Sequence, residues 1–325
     1  MARQKKSTRK SSQQQEIPVS IKPRRNSLFT TIAIIVFLLL LVSLISGCTS
    51  LLLPESKTGN VALIPLYGVI SPASSSGTFE QETVDSGAVI EMIREADAND
   101  QIGVIVIDIN SGGGTPVASA EIARAVKDAE KPTIAWVRDL GASGAYWVAS
   151  ASDTIVAHEL STTGSIGVTG SYLEFSGLLD DYNVTYNRQV SGYYKDMGSP
   201  YKDMTPSEER IYKNMLDKMH ELFIEDVAEN RNMSVEQLRD LADGRVYLGI
   251  EAKENGLVDV LGSQQEVRSI AKEHIGEDVE FRDYKPQKNI FSIFPGLSKD
   301  FARNIGEGIG SQLGQERISS NQPRI

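Results

Sequence analysis

The segment Q-I-G-V-I-V-I-D-I-N-S-G-G-G-T-P-V-A-S-A-E-I, residues 101–122, indicates the fold of this chain. Residues 101–110 are mostly apolar and β-branched, which predicts a buried strand. Three glycines follow, and the apolar spacing from Ala118 to Ile122 then predicts a helix over 115–129. A buried strand that passes through a tight turn into a helix is typical of α/β proteins with a parallel sheet.

The same alternation of strands and helices continues on both sides of this segment. Further strands are predicted at 61–70, 132–137, 154–157, 165–168 and 184–190. Further helices are predicted at 84–99, 143–152, 206–231, 234–242, 249–255 and 264–273. The longest helix begins with the capping box Thr205-Pro206-Ser207-Glu208, which places proline at the first helical position. The sequence therefore predicts an α/β domain with a largely parallel sheet.

The composition is that of a globular protein, with 40% hydrophobic and 23% charged residues in a chain of 325. The single cysteine, Cys48, excludes a disulfide framework and a cysteine-rich zinc site. The three histidines, His158, His220 and His274, are too scattered in sequence to suggest a His-based metal centre. We therefore expect neither a metal nor a cofactor.

The charge is unevenly distributed along the chain. Residues 1–27 hold eight Lys and Arg against one acid, Glu16, and so carry a net charge of +7. Because the whole chain carries −10, the remaining residues carry −17. An acidic body does not suit nucleic acid, whose phosphates are neutralised by clustered Lys and Arg. We therefore expect no nucleic-acid partner.

A transmembrane helix is predicted at 28–48. These 21 mostly apolar residues carry no charge and would form a helix of about 31 Å, against a hydrocarbon core of about 30 Å. The basic tail at 1–27 predicts a cytoplasmic N-terminus, so the body of this single-pass protein would be extracytoplasmic at the cell membrane. The alternative is a lipoprotein signal, since Ile45-Ser46-Gly47-Cys48 resembles a lipobox in which Cys48 is lipidated after cleavage.

The other boundaries follow from the composition of the chain after the apolar run. Residues 49–60 are predicted to be a linker that leaves the membrane. All the predicted strands and helices of the body fall within 61–287. Residues 288–325 are mostly polar and rich in Gly, Ser and Gln, which predicts a flexible C-terminal tail.

Three junctions after predicted strands carry residues that could perform chemistry. The glycines of N-S-G-G-G (110–114) could turn backbone N–H groups inward as an oxyanion hole, although a flexible connection or a phosphate loop would look similar. In G-A-S-G-A (141–145), Ser143 could be a nucleophile, or the small residues could serve a tight helix–sheet crossing. In S-G-Y-Y-K-D (191–196), Lys195 could be a base if burial or a nearby cation keeps it uncharged, and otherwise is a solvated surface lysine.

Taken together, these junctions resemble the bacterial signal peptide peptidase A family (SppA), serine proteases with a Ser–Lys dyad. The resemblance covers about residues 59–273 and includes five segments in one order. They are I-D-I-N-S-G-G-G-T-P-V-A-S-A-E-I (107–122), G-A-S-G-A-Y-W-V-A-S-A-S-D (141–153), T-G-S-I-G-V (163–168), G-Y-Y-K-D-M-G-S-P (192–200) and G-R-V-Y-L-G-I-E-A-K-E-N-G-L-V-D (244–259). The fold implied is that of Clp protease and the crotonases, with repeated ββα units.

The resemblance also implies roles for individual residues. Ser143 is the nucleophile and Lys195 the general base, while Ser165 hydrogen-bonds the lysine and orients it. The oxyanion hole is formed by the backbone N–H groups of Gly113 and Gly144. One position departs from the family, whose loop usually reads S-P-G-G: Gly112 replaces the proline, and we expect a less rigid loop.

The implied activity is that of a membrane-anchored serine endopeptidase that degrades remnant signal peptides after signal peptidase has released them. Its partners are apolar peptide substrates, the membrane through residues 28–48, and further copies of itself. Longer members of the family take the lysine and the serine from two homologous halves, whereas this chain has one copy. We therefore expect a homo-oligomeric ring in which Lys195 of one subunit meets Ser143 of its neighbour.

Three alternatives remain open from the residues alone. A crotonase-like acyl-CoA enzyme would use the same type of fold and oxyanion loop. A Ser–His–Asp hydrolase would recruit His220 or His274 in place of Lys195. A membrane scaffold of the same fold would not be catalytic at all.

Overall fold

The computed structural model describes residues 32, 34–39, 41–42, 58–73 and 83–285. The chain divides into two compact units, 1–56 and 57–325, and the described residues of the first unit are helical. In the part of the chain that is described, no helix is long and apolar enough to cross a membrane. The basic tail, most of the predicted span at 28–48 and the predicted tail at 288–325 lie outside the described residues.

The second unit is built from strands and helices that alternate along the chain. The strands are β1 (Val61–Tyr67), β2 (Val69–Ser71), β3 (Thr83–Asp85), β4 (Val104–Ser111), β5 (Thr133–Ala142), β6 (Thr154–Ala157), β7 (Thr162–Gly164), β8 (Val246–Leu248), β9 (Val260–Leu261) and β10 (Phe281–Asp283). The helices are α1 (Ser86–Asp97), α2 (Pro116–Lys127), α3 (Gly144–Ser150), α4 (Ser176–Asp181), α5 (Pro206–Asn230), α6 (Val235–Leu241), α7 (Gly249–Glu254) and α8 (Gln264–Ile275).

The main sheet is almost entirely parallel. Its strands lie in the order β10-β1-β4-β5-β6-β9, and every neighbouring pair in this row is parallel. Strand β7 also pairs with β5 in parallel, and β8 pairs with β7 as the antiparallel exception. Strands β2 and β3 form a separate two-stranded parallel sheet. The predicted α/β fold with a largely parallel sheet is confirmed.

Both faces of the sheet are covered, which explains why the central strands read as continuous apolar runs. In β4, Ile105, Ile107 and Ile109 belong to the larger core, which also contains buried residues of α1, α2, α3 and α5. The alternate residues Val104 and Val106 belong to a second core that includes buried residues of α8. The sheet is therefore the middle layer of the unit.

Two predicted strands are wrong. The strand predicted at 165–168 is displaced, because β7 ends at Gly164, and Gly164 and Ser165 both have positive φ angles, 77° and 51°, that turn the chain out of the sheet. The segment 184–190 forms no strand and every residue in it is exposed. Its alternating pattern resembles a strand, but the segment pairs with no strand of the described structure.

Candidate active site

The parallel pairing of β4 and β5 brings two of the predicted junctions together. Strand β4 ends at Ser111 and is followed by the three glycines, while β5 ends at Ala142 immediately before Ser143. Ser111 is in register with Gly141, so both strands end at the same edge of the sheet. Sites in parallel α/β sheets lie at this carboxyl edge.

Ser143 occupies a sharp turn between β5 and α3. Its φ and ψ angles are 53° and −126°, a conformation that is costly for any residue other than glycine. Its N–H donates to the carbonyl of Gly164 (2.8 Å), and its own carbonyl accepts from the N–H of Trp147 (3.0 Å). The hydroxyl does not cap α3. The backbone is therefore fixed on both sides while the hydroxyl remains available to a ligand.

A cavity of about 450 Å³ opens beside Ser143. Its lining comes from the two junctions, the segment after β7, one face of α5 and residues 243–244. Trp147 and Phe223 stack within it, with ring centroids 4.4 Å apart. The lining residues are Gly114, Pro116, Ser143, Gly144, Trp147, Ser165, Gly167, Val168, Thr169, Lys213, Leu216, Asp217, His220, Phe223, Asp243 and Gly244.

The glycine loop is held by backbone hydrogen bonds to β2. The Ile70 N–H donates to the Gly113 carbonyl (2.9 Å), and the Thr115 N–H donates to the Ile70 carbonyl (2.9 Å). A Cβ atom on Gly114 would lie 1.9 Å from the Ile70 carbonyl oxygen, so this position requires glycine. The loop is thus clamped despite the absence of the family proline at position 112.

The two predicted oxyanion-hole residues differ in what their amides contact. Gly144 lines the cavity, whereas the Gly113 N–H donates to the Ser111 hydroxyl (3.1 Å), which itself donates to the Gly68 carbonyl (2.5 Å). Gly114 belongs to the same predicted oxyanion loop, although the resemblance singled out Gly113. It also lines the cavity, and its nitrogen lies 3.3 Å from the position of a Cβ built on Gly144. Neither the Gly114 nor the Gly144 N–H has a hydrogen-bond acceptor among the described residues.

Ser165 is brought into the same cavity as Ser143. Its φ angle is 51°, and its N–H donates to the Arg245 carbonyl (2.8 Å). The preceding residue, Gly164, accepts the Ser143 N–H, so the two serine-bearing turns are joined by one hydrogen bond. The hydrogen bond between Ser143 and Gly164 therefore links the turn of the predicted nucleophile to the turn of Ser165, the serine predicted to orient the lysine.

Lys195 does not reach this cavity within the single chain. Its side chain is exposed, and no residue from 169 to 207 is buried. The neighbouring Asp196 accepts a hydrogen bond from Arg188 (Nη2 to Oδ1, 2.8 Å), which lowers the pKa of that carboxyl group. The Asp196 carboxylate, whose negative charge would favour the charged form of Lys195, is thus already paired with Arg188. The structure assembles Ser143, Ser165, Gly114 and Gly144, and leaves Lys195 on the surface.

Comparison with known proteins identifies similar chains. The family model described as Peptidase family S49 matches residues 125–278. A protein of Methanocaldococcus jannaschii named "Putative protease MJ0651" is 33% identical over 75% of this chain and 79% of its own length. One of Enterococcus faecium named "Putative signal peptide peptidase SppA" is 34% identical over 71% of this chain and 69% of its own. "Serine protease SPPA, chloroplastic" of Arabidopsis thaliana is 30% identical over 66% of this chain and 32% of its own.

Proposed function

This chain belongs to peptidase family S49 and is a serine peptidase, and we propose that it is a membrane-anchored endopeptidase that degrades signal peptides left after secretion. The observation that carries the proposal is the position of Ser143, held at positive φ between β5 and α3 and lining a cavity that Gly114 of the glycine loop also lines. The name of the Enterococcus faecium relative supports the substrate class. The fold proposed for the domain at 61–287 is of the Clp protease and crotonase type.

The reaction begins with the hydroxyl of Ser143. Uncharged Lys195 takes the hydroxyl proton while Oγ forms a bond to the peptide carbonyl carbon, and the carbonyl oxygen becomes an oxyanion. In the proposal the N–H groups of Gly114 and Gly144 stabilise this charge, because both residues line the cavity and neither N–H has an acceptor among the described residues. Gly113, the residue named from the sequence, would first have to release the Ser111 hydroxyl.

The remaining steps return the enzyme to its starting state. Protonated Lys195 donates its proton to the leaving amine as the peptide C–N bond breaks, which leaves an acyl group on Ser143. Water then gives a proton to Lys195 and attacks the acyl carbon. When the bond to Oγ breaks, the lysine proton returns to Ser143. Ser165 lies in the cavity where it can orient the amine.

A neighbouring subunit supplies the lysine in this proposal. A lysine serves as a base only when it is uncharged, and burial favours the uncharged amine. Lys195 is exposed in the single chain, in a segment whose large apolar side chains are also exposed. Burial of that segment against a second copy would desolvate Lys195 and bring it to Ser143 of the neighbour. A closed homo-oligomeric ring repeats this contact around every subunit.

The substrate lies along the chain segment that follows β7. Residues 165–169 form no strand, although Ser165, Gly167, Val168 and Thr169 all line the cavity. Within this segment, 167–169 form no hydrogen bond to another backbone group in the described structure, so an extended peptide can add itself there and place a carbonyl next to Ser143. Residues 28–48 anchor the enzyme in the cell membrane, with the N-terminus cytoplasmic and the catalytic domain outside, which keeps it beside apolar peptides released there.

The proposal is tested with the full-length protein in detergent, as wild type, S143A and K195A, on an internally quenched apolar peptide. Each variant is expected to lose at least about a thousandfold in rate, because the nucleophile and the base act as a unit. Mass spectrometry of wild type stopped during turnover should find an acyl group on Ser143. Hydrolysis by S143A at the wild-type rate would exclude the mechanism, and turnover of acyl-CoA thioesters in place of peptides would favour the crotonase-like alternative.

A further inference from the structure

One side of α5 lines the same cavity as Ser143. Lys213, Asp217, His220 and Phe223 line it at helical spacing. The two charged residues form an ion pair with each other, Lys213 with Asp217. His220 instead contacts the backbone: its Nε2 atom lies 3.2 Å from the carbonyl oxygen of Ile166.

This contact determines what His220 can do. A carbonyl oxygen only accepts hydrogen bonds, so Nε2 must carry the proton and donate it to Ile166. An Nε2 that already donates has no lone pair with which to take the proton of Ser143. The N–H is present in this neutral tautomer and in the charged imidazolium alike, so the contact survives a change in protonation. A Ser–His hydrolase would need a different arrangement of this ring.

The backbone held by His220 has few other anchors. The Ser165 N–H donates to Arg245, and the side chain of Ile166 is buried. Beyond that residue, 167–169 form no hydrogen bond to another backbone group in the described structure. The histidine therefore fixes this cavity wall at the point where the chain has just left the sheet.

We propose that His220 is a positioning residue that holds segment 165–169 in place for an extended peptide. The inference rests on the proposed function, in which a peptide lies along this segment to reach Ser143. A substrate that spans several residues needs the segment as a partner, whereas a small activated ester needs only Ser143, its base and the oxyanion hole. Loss of the His220 contact should therefore lower the rate of peptide hydrolysis more than the rate of ester hydrolysis.

The experiment compares the full-length H220F, H220Q and wild-type proteins on two substrates. One substrate is an internally quenched apolar peptide, and the other is p-nitrophenyl butyrate. Phenylalanine keeps the ring but removes the N–H, whereas the glutamine amide can place an N–H near the position of Nε2. The matched control is H274F, since His274 is exposed on α8 and does not line the cavity.

H220F should lower kcat/KM for the peptide by about tenfold more than it lowers that for the ester, mainly through KM, as expected for one lost hydrogen bond. H220Q should recover most of the difference, and H274F should match wild type. Equal losses on both substrates without recovery in H220Q would make His220 a base or a purely structural residue and overturn the proposal. Unchanged kinetics in H220F would overturn it as well. A failure of the proposed function would be recognised by a different result, because S143A would then still hydrolyse the peptide.

Discussion

Ser143 adopts a backbone conformation that serine does not favour. Two hydrogen bonds and the burial of the following helix explain why this conformation persists. Its N–H is held by Gly164, its carbonyl by Trp147, and the helix that follows is buried along its whole length. Strain of about 1–3 kcal/mol at one residue is tolerated where the surroundings determine the backbone. The hydroxyl is thereby placed at the tip of the turn and not along the helix.

We expect S143G to be more stable than S143A by about 1 kcal/mol, although both lack the nucleophile. Alanine retains the Cβ atom that makes φ of 53° costly, and glycine does not. Urea unfolding followed by circular dichroism measures the difference. The matched control is Ser119, within α2, where the glycine variant should be the less stable one. A more stable S143A would show that the turn is not strained in solution.

The sequence singles out Ser143 and Ser165, and the structure places both at one cavity, while their catalytic roles stay predictions. The choice between neighbouring glycine amides for the oxyanion hole depends on contacts that the sequence does not display. Gly113 and Gly114 are neighbouring glycines that the sequence alone does not distinguish. In the structure the Gly113 N–H donates to Ser111, and the loop is held by contacts with Gly68 and Ile70, more than 40 residues earlier in the chain. The only sequence signal for this clamp is the apolar segment that contains Ile70.

Among the secondary-structure elements, every strand of four or more residues in the described structure was predicted, whereas most strands of two or three residues were not. The helix predicted at 115–129 is α2, and the strand at 154–157 is β6 with the same bounds. Strands β8, β9 and β10 have only two or three residues, too few to show alternation, and were not predicted. They are fixed by pairing with neighbours that are distant in sequence.

Helix α5 begins with the capping box that the sequence predicted. The Glu208 N–H donates to the Thr205 hydroxyl (3.3 Å), and the Thr205 N–H donates to the Glu208 carboxylate (2.8 Å). Lys202 also donates to that carboxylate, at 2.8 and 2.9 Å. The bonds from Lys202 and then from Thr205 lower the pKa of Glu208. These contacts fix the first turn of the helix that forms one wall of the cavity.

We expect E208Q to lower the free energy of unfolding at neutral pH, because the amide keeps neither the charge nor both acceptors. A carboxyl group whose pKa is lowered by folding contributes fully above its ordinary value of about 4.3, and the contribution is lost as pH falls through the lowered value. The difference between wild type and E208Q should therefore shrink below that pH. Urea unfolding at a series of pH values measures it.

The neighbouring Glu209 provides the control for this experiment. It lies in the same turn, is exposed, and makes no side-chain hydrogen bond among the described contacts. E209Q removes the same charge from the helix start and should change stability little at any of these pH values. An equal loss in E209Q would mean that the charge of the first turn matters and the capping box does not.

At the scale of the whole molecule, one part of the second unit has a surface unlike the rest. Between 169 and 207 no residue is buried, and eleven large apolar or aromatic side chains are exposed. Exposed apolar side chains concentrated in one segment are consistent with the proposed contact between subunits. The side chains are Tyr172, Leu173, Phe175, Leu178, Tyr182, Val184, Tyr186, Val190, Tyr193, Tyr194 and Tyr201. Lys195 lies among them, so in the proposed oligomer a second copy that covers this surface would also determine the environment of the proposed base.

The proposed sharing of the dyad makes a numerical prediction for mixed oligomers. When S143A and K195A subunits are co-expressed in equal amounts, a site works only if a K195A subunit supplies Ser143 and an S143A neighbour supplies Lys195. Random assembly gives about one quarter of the sites this composition, so about one quarter of the wild-type peptidase rate should return. Neither variant alone should be active, and a double variant co-expressed with either one should restore nothing, because one of the two groups is then absent from every site. If the mixture stayed as inactive as its components, serine and lysine would have to come from the same chain, and the segment around Lys195 would have to move onto its own cavity.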